Sequence, residues 1–384
     1  AAAYAIISYQ TAFLKTYYPR EFFAASMTMD LSNQNKLSEF HEELKRINIK
    51  VIRPDINKCF ADFQFDEENF YYALGGIKSV GIEAISNVVS ERKENGNFKS
   101  INDFLNRVSP KDINKLQLEG LVKAGAFDNI ENNRQALFNS IPNFILKTKN
   151  IFENKAANQI DLFESDEEQD NEIVLNIEDW NFEDKLSREF EAIGFFISDH
   201  PLNQFKEIFD DYKIINYVKF NLDDDIKDAN IAATLLKITE RKTARGNSYG
   251  VIKFTDLTSV FELFVFSDIL ELNRDILIEG SSLIITLIKT ISNDVNKSKR
   301  INVQKIASLK DLFNKPVNEI VFNLKSVKDI DKISDLVSEE GATDIKININ
   351  DESGDISFKL KTKRLIDRKA INILRNNDIS TIIN

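Results

Sequence analysis

The sequence predicts a multidomain α+β chain, and three patterns carry that expectation. Apolar residues recur at helical spacing over most of the first 150 positions, five short alternating segments lie between 228 and 310, and a strand-helix-hairpin-helix run fills 317–384. A length of 384 residues with 42% apolar and 29% charged side chains is an ordinary globular balance, enough for roughly two to four domains with cores of their own.

The first sixty residues read as three helices. Ala1 to Tyr18 places Ile6, Ile7, Phe13, Leu14 and Tyr17 near one another, and Pro19 suits the first turn of a second helix, Glu21 to Met29. Asn35 to Arg46 repeats the pattern with Leu37, Phe40 and Leu44, and Val51 to Pro54 is extended because the residue before a proline is pushed out of the helical region. Tyr4, Tyr9 and Phe13 are expected to face inward, His41 to sit at the surface and Cys59 to fill an apolar gap. The first helix opens without a start signal, so it is expected to continue a longer chain.

Tyr72 to Arg92 has the spacing of a helix-hairpin-helix. Leu74 and Ile77 precede a turn at Ser79-Val80-Gly81, and Ala84, Ile85, Val88 and Val89 follow on a second helix. Free amides at the start of that helix attract an anion, and a glycine lets backbone approach a phosphate. Lys78, Ser79, Val80 and Gly81 are therefore the candidate duplex-DNA contacts, with Ser79 standing where such motifs usually carry a first glycine. A second helical pair, Ile113 to Ala124 and Asn133 to Ser140, joined by Gly125-Ala126-Phe127-Asp128, reads as a degenerate partner hairpin.

The net charge of -11 is concentrated in one place. Residues 150–211 hold 18 acidic and 4 basic side chains, and the segments on either side are close to neutral or slightly basic. Inside this stretch lies Gln159-Ile160-Asp161-Leu162-Phe163. Adjacent large apolar anchors, Leu162 and Phe163, with a polar Gln159 to set register, make a docking peptide for a folded partner. Asp161 belongs to the same peptide. Helical spacing returns from Trp180 to Phe196.

Ile231 to Thr239, Tyr249 to Asp256, Val260 to Ser267, Ser282 to Ser292 and Ile301 to Ala307 alternate as strands. Five strands of even spacing predict a small barrel of the oligonucleotide-binding (OB) type. Arg241, Lys242 and Arg245 in its first hairpin, beside Tyr249 and Phe254, are the candidate single-strand contacts: cations for the backbone and aromatic faces for the bases. Phe264 and Phe266 extend that set if they face outward. The tail reads as strand Glu319 to Leu324, helix Val327 to Glu339, hairpin Asp344 to Lys361 and helix Asp367 to Asn376.

One cysteine and two histidines argue against a disulfide framework, a thiolate metal cluster and His/Cys catalysis. Asp223-Asp224-Asp225 point in different directions and mark a loop, so no metal site is expected. No uninterrupted apolar run reaches membrane-spanning length, and the chain is expected to be cytosolic with no membrane partner.

Several separated blocks, in one order, resemble the C-terminal half of the bacterial replicative DNA polymerase III alpha subunit family. They are Ala1-Ala2-Ala3-Tyr4-Ala5-Ile6-Ile7-Ser8-Tyr9-Gln10-Thr11, Pro54-Asp55-Ile56-Asn57, Leu74 to Gly81, Ala124 to Asp128, Gly194-Phe195-Phe196 and His200-Pro201-Leu202. The resemblance implies a fingers remnant at 1–62, tandem helix-hairpin-helix DNA-binding at 63–149, an acidic linker with the clamp-binding peptide at 150–211, an OB-fold at 212–310 and a tau-binding type of α+β tail at 311–384. It implies DNA, the beta sliding clamp and the clamp-loader tau subunit as partners, and DNA-directed DNA polymerase (nucleotidyltransferase) activity in the parent protein. The family's catalytic aspartates and their Mg lie in a palm that this sequence does not contain. No catalytic residue and no cofactor is therefore expected in this chain, and it is expected to be inactive alone. Taken without the resemblance, the residues also suit a non-catalytic DNA-binding scaffold of replication or repair.

Overall fold

The chain divides into two units, Ala1–Pro201 and Leu202–Asn384. The computed structural model describes residues 2–156, 177–243, 246, 248–292, 299–314, 317–334, 337–351, 354–366 and 379–383.

The first unit is largely helical. It contains α1 (Ala2–Tyr17), α2 (Pro19–Met29), α3 (Gln34–Arg46), α4 (Ile82–Asn95), α5 (Ile101–Arg107), α6 (Lys115–Lys123), α7 (Arg134–Ala156) and α8 (Phe182–Ile193). Three two-residue strands, β1 (Val51–Ile52), β2 (Gln64–Phe65) and β3 (Phe70–Tyr71), make a small sheet in the order β1-β3-β2. Start signals are written into the sequence: Asn33, Ser100, Asn114 and Asn181 each accept a first-turn amide of α3, α5, α6 and α8. One core gathers Phe23, Met27, Leu37, Leu74, Phe104 and Phe127. Cys59 is buried within it, and burial pushes its thiol up to about 12, which makes it an inert filler.

Several expectations change here. Tyr4, Tyr9 and Phe13 do not face inward: they are 79%, 70% and 42% exposed, on a helix that packs on α2 and reaches α3 through the Lys15–Glu43 ion pair. His41 is not at the surface. It shares a helix face with Leu37 and Leu44, is 3% exposed and lies 4.9 Å from the Phe195 ring. The first arm of the hairpin is a 3-10 turn, Leu74–Gly76, rather than a helix, since two adjacent glycines disfavour α-helix and Gly75 lies against the Ala61 carbonyl. Helix α7 runs well past Ser140 with Pro142 inside it, held by the buried Ile141 and Phe144.

A 3-10 segment, Pro201–Ile208, begins at the boundary and leads into the second unit, where α9 (Tyr217–Leu222) follows. Five strands follow: β4 (Asp228–Lys242), β5 (Ser248–Thr255), β6 (Val260–Phe266), β7 (Ser282–Ile291) and β8 (Lys299–Ser308). Helix α10 (Ser267–Leu272) lies between β6 and β7, and α11 (Leu309–Asn314) follows β8. The strands match the five expected segments and pair antiparallel in the order β6-β5-β4-β7-β8. Among the described residues no ladder joins β6 to β8, so the assembly is a five-stranded sheet and not a demonstrated closed barrel. Alternation sends Ile231, Leu235, Ile252, Phe254, Leu263 and Leu283 into its core.

The tail is a separate four-stranded sheet in the order β11-β10-β9-β12, from β9 (Glu319–Leu324), β10 (Glu340–Asp351), β11 (Gly354–Lys359) and β12 (Ser380–Ile383). The expected helix after β9 is a 3-10 turn, Val327–Asp329, running into α12 (Ile330–Ser334). Strand β12, which no expected element covers, pairs antiparallel with β9. The expected helix Asp367 to Asn376 lies outside the described residues.

Candidate nucleic-acid interface

The turn between Leu74 and α4 is held on three sides. Gln34 of α3 donates its amide to the Gly76 carbonyl at 3.0 Å, the Lys78 amide donates to the Ala192 carbonyl near the end of α8 at 2.8 Å, and the Val80 amide closes on Ile77 at 3.1 Å. Ile77 and Val80 are buried, while Lys78, Ser79 and Gly81 are exposed. Gly120 of α6 lets the turn lie close, since a Cβ there would stand 2.9 Å from the Lys78 carbonyl.

Two glycine-like roles are exchanged relative to expectation. Ser79 holds the left-handed conformation at φ 66, the position at which a first glycine would cost nothing. Gly81 is extended at φ -79, and a Cβ there would meet nothing nearer than Gln117 Nε2 at 3.6 Å. The protein itself therefore places no demand for glycine at 81. Gly81 is also the N-cap of α4 and contributes no side-chain cap, in contrast to α3, α5, α6 and α8. The first-turn amides of this helix carry the positive end of its dipole beside Lys78, with Glu83 the acidic residue of the turn. This arrangement suits an anion.

The second turn is built differently. Gly125 is left-handed at φ 75, Asn133 caps the start of α7 by accepting the Ala136 amide, and buried Arg134 makes a two-pronged ion pair with Asp128 at 2.8 and 2.7 Å. Its cation is engaged inside the fold, so this hairpin braces the first one.

In the second unit, register decides which aromatics face out. Tyr249 pairs with Phe266, Val251 with Phe264 and Lys253 with Glu262, while Arg241 pairs with Tyr249 and Lys237 with Lys253. One face of β4-β5-β6 thus carries Lys237, Arg241, Tyr249, Lys253, Phe264 and Phe266. Phe264 and Phe266 are 54% and 48% exposed, and the Tyr249 and Phe264 rings lie 6.3 Å apart. Phe254 is on the opposite side and fully buried, so it belongs to the core and is withdrawn from the candidate contacts. Lys242, paired with Ser248, also alternates away from the aromatic face. Arg245 lies outside the described residues, as do Gln159, Asp161, Leu162 and Phe163. Phe264 and Phe266 meet the outward-facing condition set for them, and Lys237 and Lys253 are the additions that strand pairing supplies.

The aspartate triplet is a loop fastened by lysines. Lys289 donates to the carbonyls of Phe220 and Asp223, Lys227 to that of Asp224, and Lys299 pairs with the Asp224 carboxylate at 2.6 Å, which lowers the Asp224 pKa. Among the described residues no group of His, Cys, Asp and Glu is placed to hold a metal, and no helix is long and apolar enough to cross a membrane.

A model of the helix-hairpin-helix motif matches residues 48–137, which spans both turns described above. DNA polymerase III subunit alpha of Borreliella burgdorferi is 30% identical over 378 residues, covering 94% of this chain and 32% of that protein. The subunits of Caulobacter vibrioides and Campylobacter jejuni are 34% and 37% identical, over 74% and 71% of this chain and 25% and 23% of their own lengths. The chain spans about a third or less of each of these relatives.

Proposed function

Homology to one stretch of the DNA polymerase III alpha subunit is the premise from which we propose that this chain is the DNA-gripping and partner-docking part of a replicative DNA polymerase. The observation that carries the reading is the coincidence of the helix-hairpin-helix match with an exposed turn, Lys78-Ser79-Gly81, at a helix start lacking a side-chain cap. Duplex phosphate binds the α4 amides and Lys78. The five-stranded sheet acts as an OB-fold whose β4-β5-β6 face takes single-stranded template, with Tyr249, Phe264 and Phe266 stacking on bases and Lys237, Arg241 and Lys253 facing the backbone.

The rest of the reading follows the family order. Gln159 to Phe163 docks on the beta sliding clamp, and the tail meets the clamp loader's tau subunit. Nucleotide addition, with its palm aspartates and Mg, belongs to portions of the relatives that this chain does not match. Its own contribution is tethering: several weak sites on one chain raise one another's effective concentration on clamp-bound DNA. The five-part division at 62, 149, 211 and 310 belongs to this proposal, while the fold itself separates two units at Pro201.

Duplex binding by the purified chain tests the central claim. Lys78→Gln together with Gly81→Val is expected to weaken duplex affinity and to lower the dependence of log K on log salt by about 1, the size of one lost phosphate contact. Unchanged affinity in a folded double variant would overturn the assignment of this turn.

A further inference from the structure

The first unit has a second cation-rich site whose lining is separate from the turn at 77–81. A groove of about 360 Å³ is lined by Lys50, Arg53, Lys58, Asp55, Asp128 and Asn129, among others. The three cations are exposed, and the loop that carries two of them is tied down by hydrogen bonds. The Ile56 amide donates to the Ala126 carbonyl at 2.8 Å, and buried Arg92 donates to the carbonyls of Ile56 and Cys59 at 2.6 and 2.8 Å. Cys59 adds its amide to the Asp55 carbonyl at 2.8 Å and its thiol to that of Arg53 at 3.3 Å. A loop pinned by five hydrogen bonds holds its cations at a set spacing.

The groove's two carboxylates offset only part of that charge: one is paired inside the fold and the other stands against three cations. Asp128 is paired with Arg134, and Asp55 accepts the Asn57 amide and the Asn129 side chain. Lys58 stands 3.7 Å from Asp55, too far for a hydrogen bond, and among the described residues no carboxylate pairs with Lys50 or Arg53. Lys50 and Arg53, with no carboxylate partner among the described residues, and Lys58, only loosely paired, favour a ligand that brings negative charge at intervals.

We propose that this groove binds backbone phosphates of duplex DNA, as a second anion site on the unit that carries the hairpin turn. The proposal rests on the reading that this unit binds DNA. Free phosphate or pyrophosphate shares the chemistry, and the experiment separates the two sources.

The whole chain is compared with the variant Lys50→Gln/Arg53→Gln/Lys58→Gln, with Lys93→Gln/Lys99→Gln/Lys149→Gln as an equal change of net charge at exposed lysines outside the groove. Duplex affinity is measured across a salt series, and pyrophosphate is titrated into the wild-type chain by calorimetry. The groove variant is expected to lose at least tenfold in duplex affinity at low salt and about 2 units of salt slope, the equivalent of roughly two phosphates, while the control variant loses much less. Equal losses in both triple variants would overturn the proposal, since net charge alone would then account for them. Saturable pyrophosphate binding that the groove variant abolishes, with an unchanged duplex slope, would also overturn it in favour of a free-anion site. If Lys78→Gln/Gly81→Val weakens duplex binding and the groove variant does not, the groove proposal alone fails. If the wild-type chain binds no duplex, both fail.

Discussion

Lys289 places its ammonium 2.6 Å from the backbone carbonyl of Phe220 and 4.9 Å from the centre of the same residue's ring. It also meets the Asp223 carbonyl at 2.6 Å, so one buried cation ends α9 and fixes the loop that leads into β4. Lysine in a strand core is costly unless its donors are satisfied, and here carbonyls left open by the helix end supply the acceptors.

Replacing this lysine by methionine keeps its volume and removes the donors. Lys289→Met is expected to cost about 1–3 kcal/mol, because the buried Phe220 carbonyl and the part-buried Asp223 carbonyl lose their partner. Chemical denaturation followed on the second unit measures the loss. Amide exchange over 217–228 should rise in parallel, and unchanged protection there would mean that the loop is held by something else.

Gly120 shapes the hairpin turn from a neighbouring helix. An alanine there puts its Cβ 2.9 Å from the Lys78 carbonyl, with Val80 and Ile77 methyls at 3.3 and 3.4 Å. A backbone carbonyl cannot swing aside as a flexible side chain does. Gly120→Ala is therefore expected to cost about 1–3 kcal/mol of overpacking, partly offset by better helix propensity. It should also displace the turn and weaken duplex binding, which a denaturation curve and a binding curve on the same sample resolve.

How much of this was legible varies with the physics of each element. Strands β4 to β8 follow period-two alternation, so their positions could be read closely, whereas the caps Asn114 and Asn181 go unread although both helices they start are expected. Phe254 illustrates a reading that alternation alone forbids: five positions from Tyr249, it must face the other side of the same strand. His41 sits three and four residues from Leu44 and Leu37, a spacing that put it inside. Ser79 is different. Its left-handed backbone is imposed by Gln34, Ala192 and Gly120, which are distant in sequence, and no local pattern encodes it. The face of α1 is illegible for a related reason, because helical spacing identifies an apolar face without saying what covers it.

His41 gives a pH prediction with a definite sign. Burial holds its imidazole below the ordinary value of 6.5, and Nδ1 is buried without a hydrogen-bond partner. Above that value both folded and unfolded forms are neutral, and the stability contributed by keeping the ring unprotonated is complete. As pH falls below 6.5 the unfolded chain takes up a proton that the folded chain resists, so stability is lost until the lower folded value is reached. Wild type should lose stability relative to His41→Leu as pH falls through that window. Denaturation midpoints of both proteins between pH 7 and pH 5 check it, and parallel profiles would refute it.

The peptide at 159–163 yields a binding prediction. Leu162→Ala/Phe163→Ala is expected to abolish retention by the sliding clamp, since adjacent apolar anchors supply most of such an interface. Changing acids of 164–172 to Ser or Asn should weaken clamp engagement only when DNA is present, if their role is to keep the peptide off the duplex. Surface plasmon resonance on immobilised clamp, with and without DNA, separates the two effects.

The aromatic face of β5 and β6 can be separated from the core by pairing substitutions of opposite parity. Phe264→Ala and Phe266→Ala remove rings that are half exposed and should change stability by less than about 0.5 kcal/mol each. Phe254→Ala removes a fully buried ring and should cost about 3–5 kcal/mol. Single-strand binding should show the reverse order: each outward alanine is expected to lose about 1–3 kcal/mol of stacking, whereas the folded fraction of Phe254→Leu should bind as wild type does. Fluorescence anisotropy with a labelled oligothymidine provides the affinities. Should Phe264→Ala/Phe266→Ala bind unchanged, the strand would have to travel elsewhere on the unit, and the outward aromatics would be no more than exposed apolar surface.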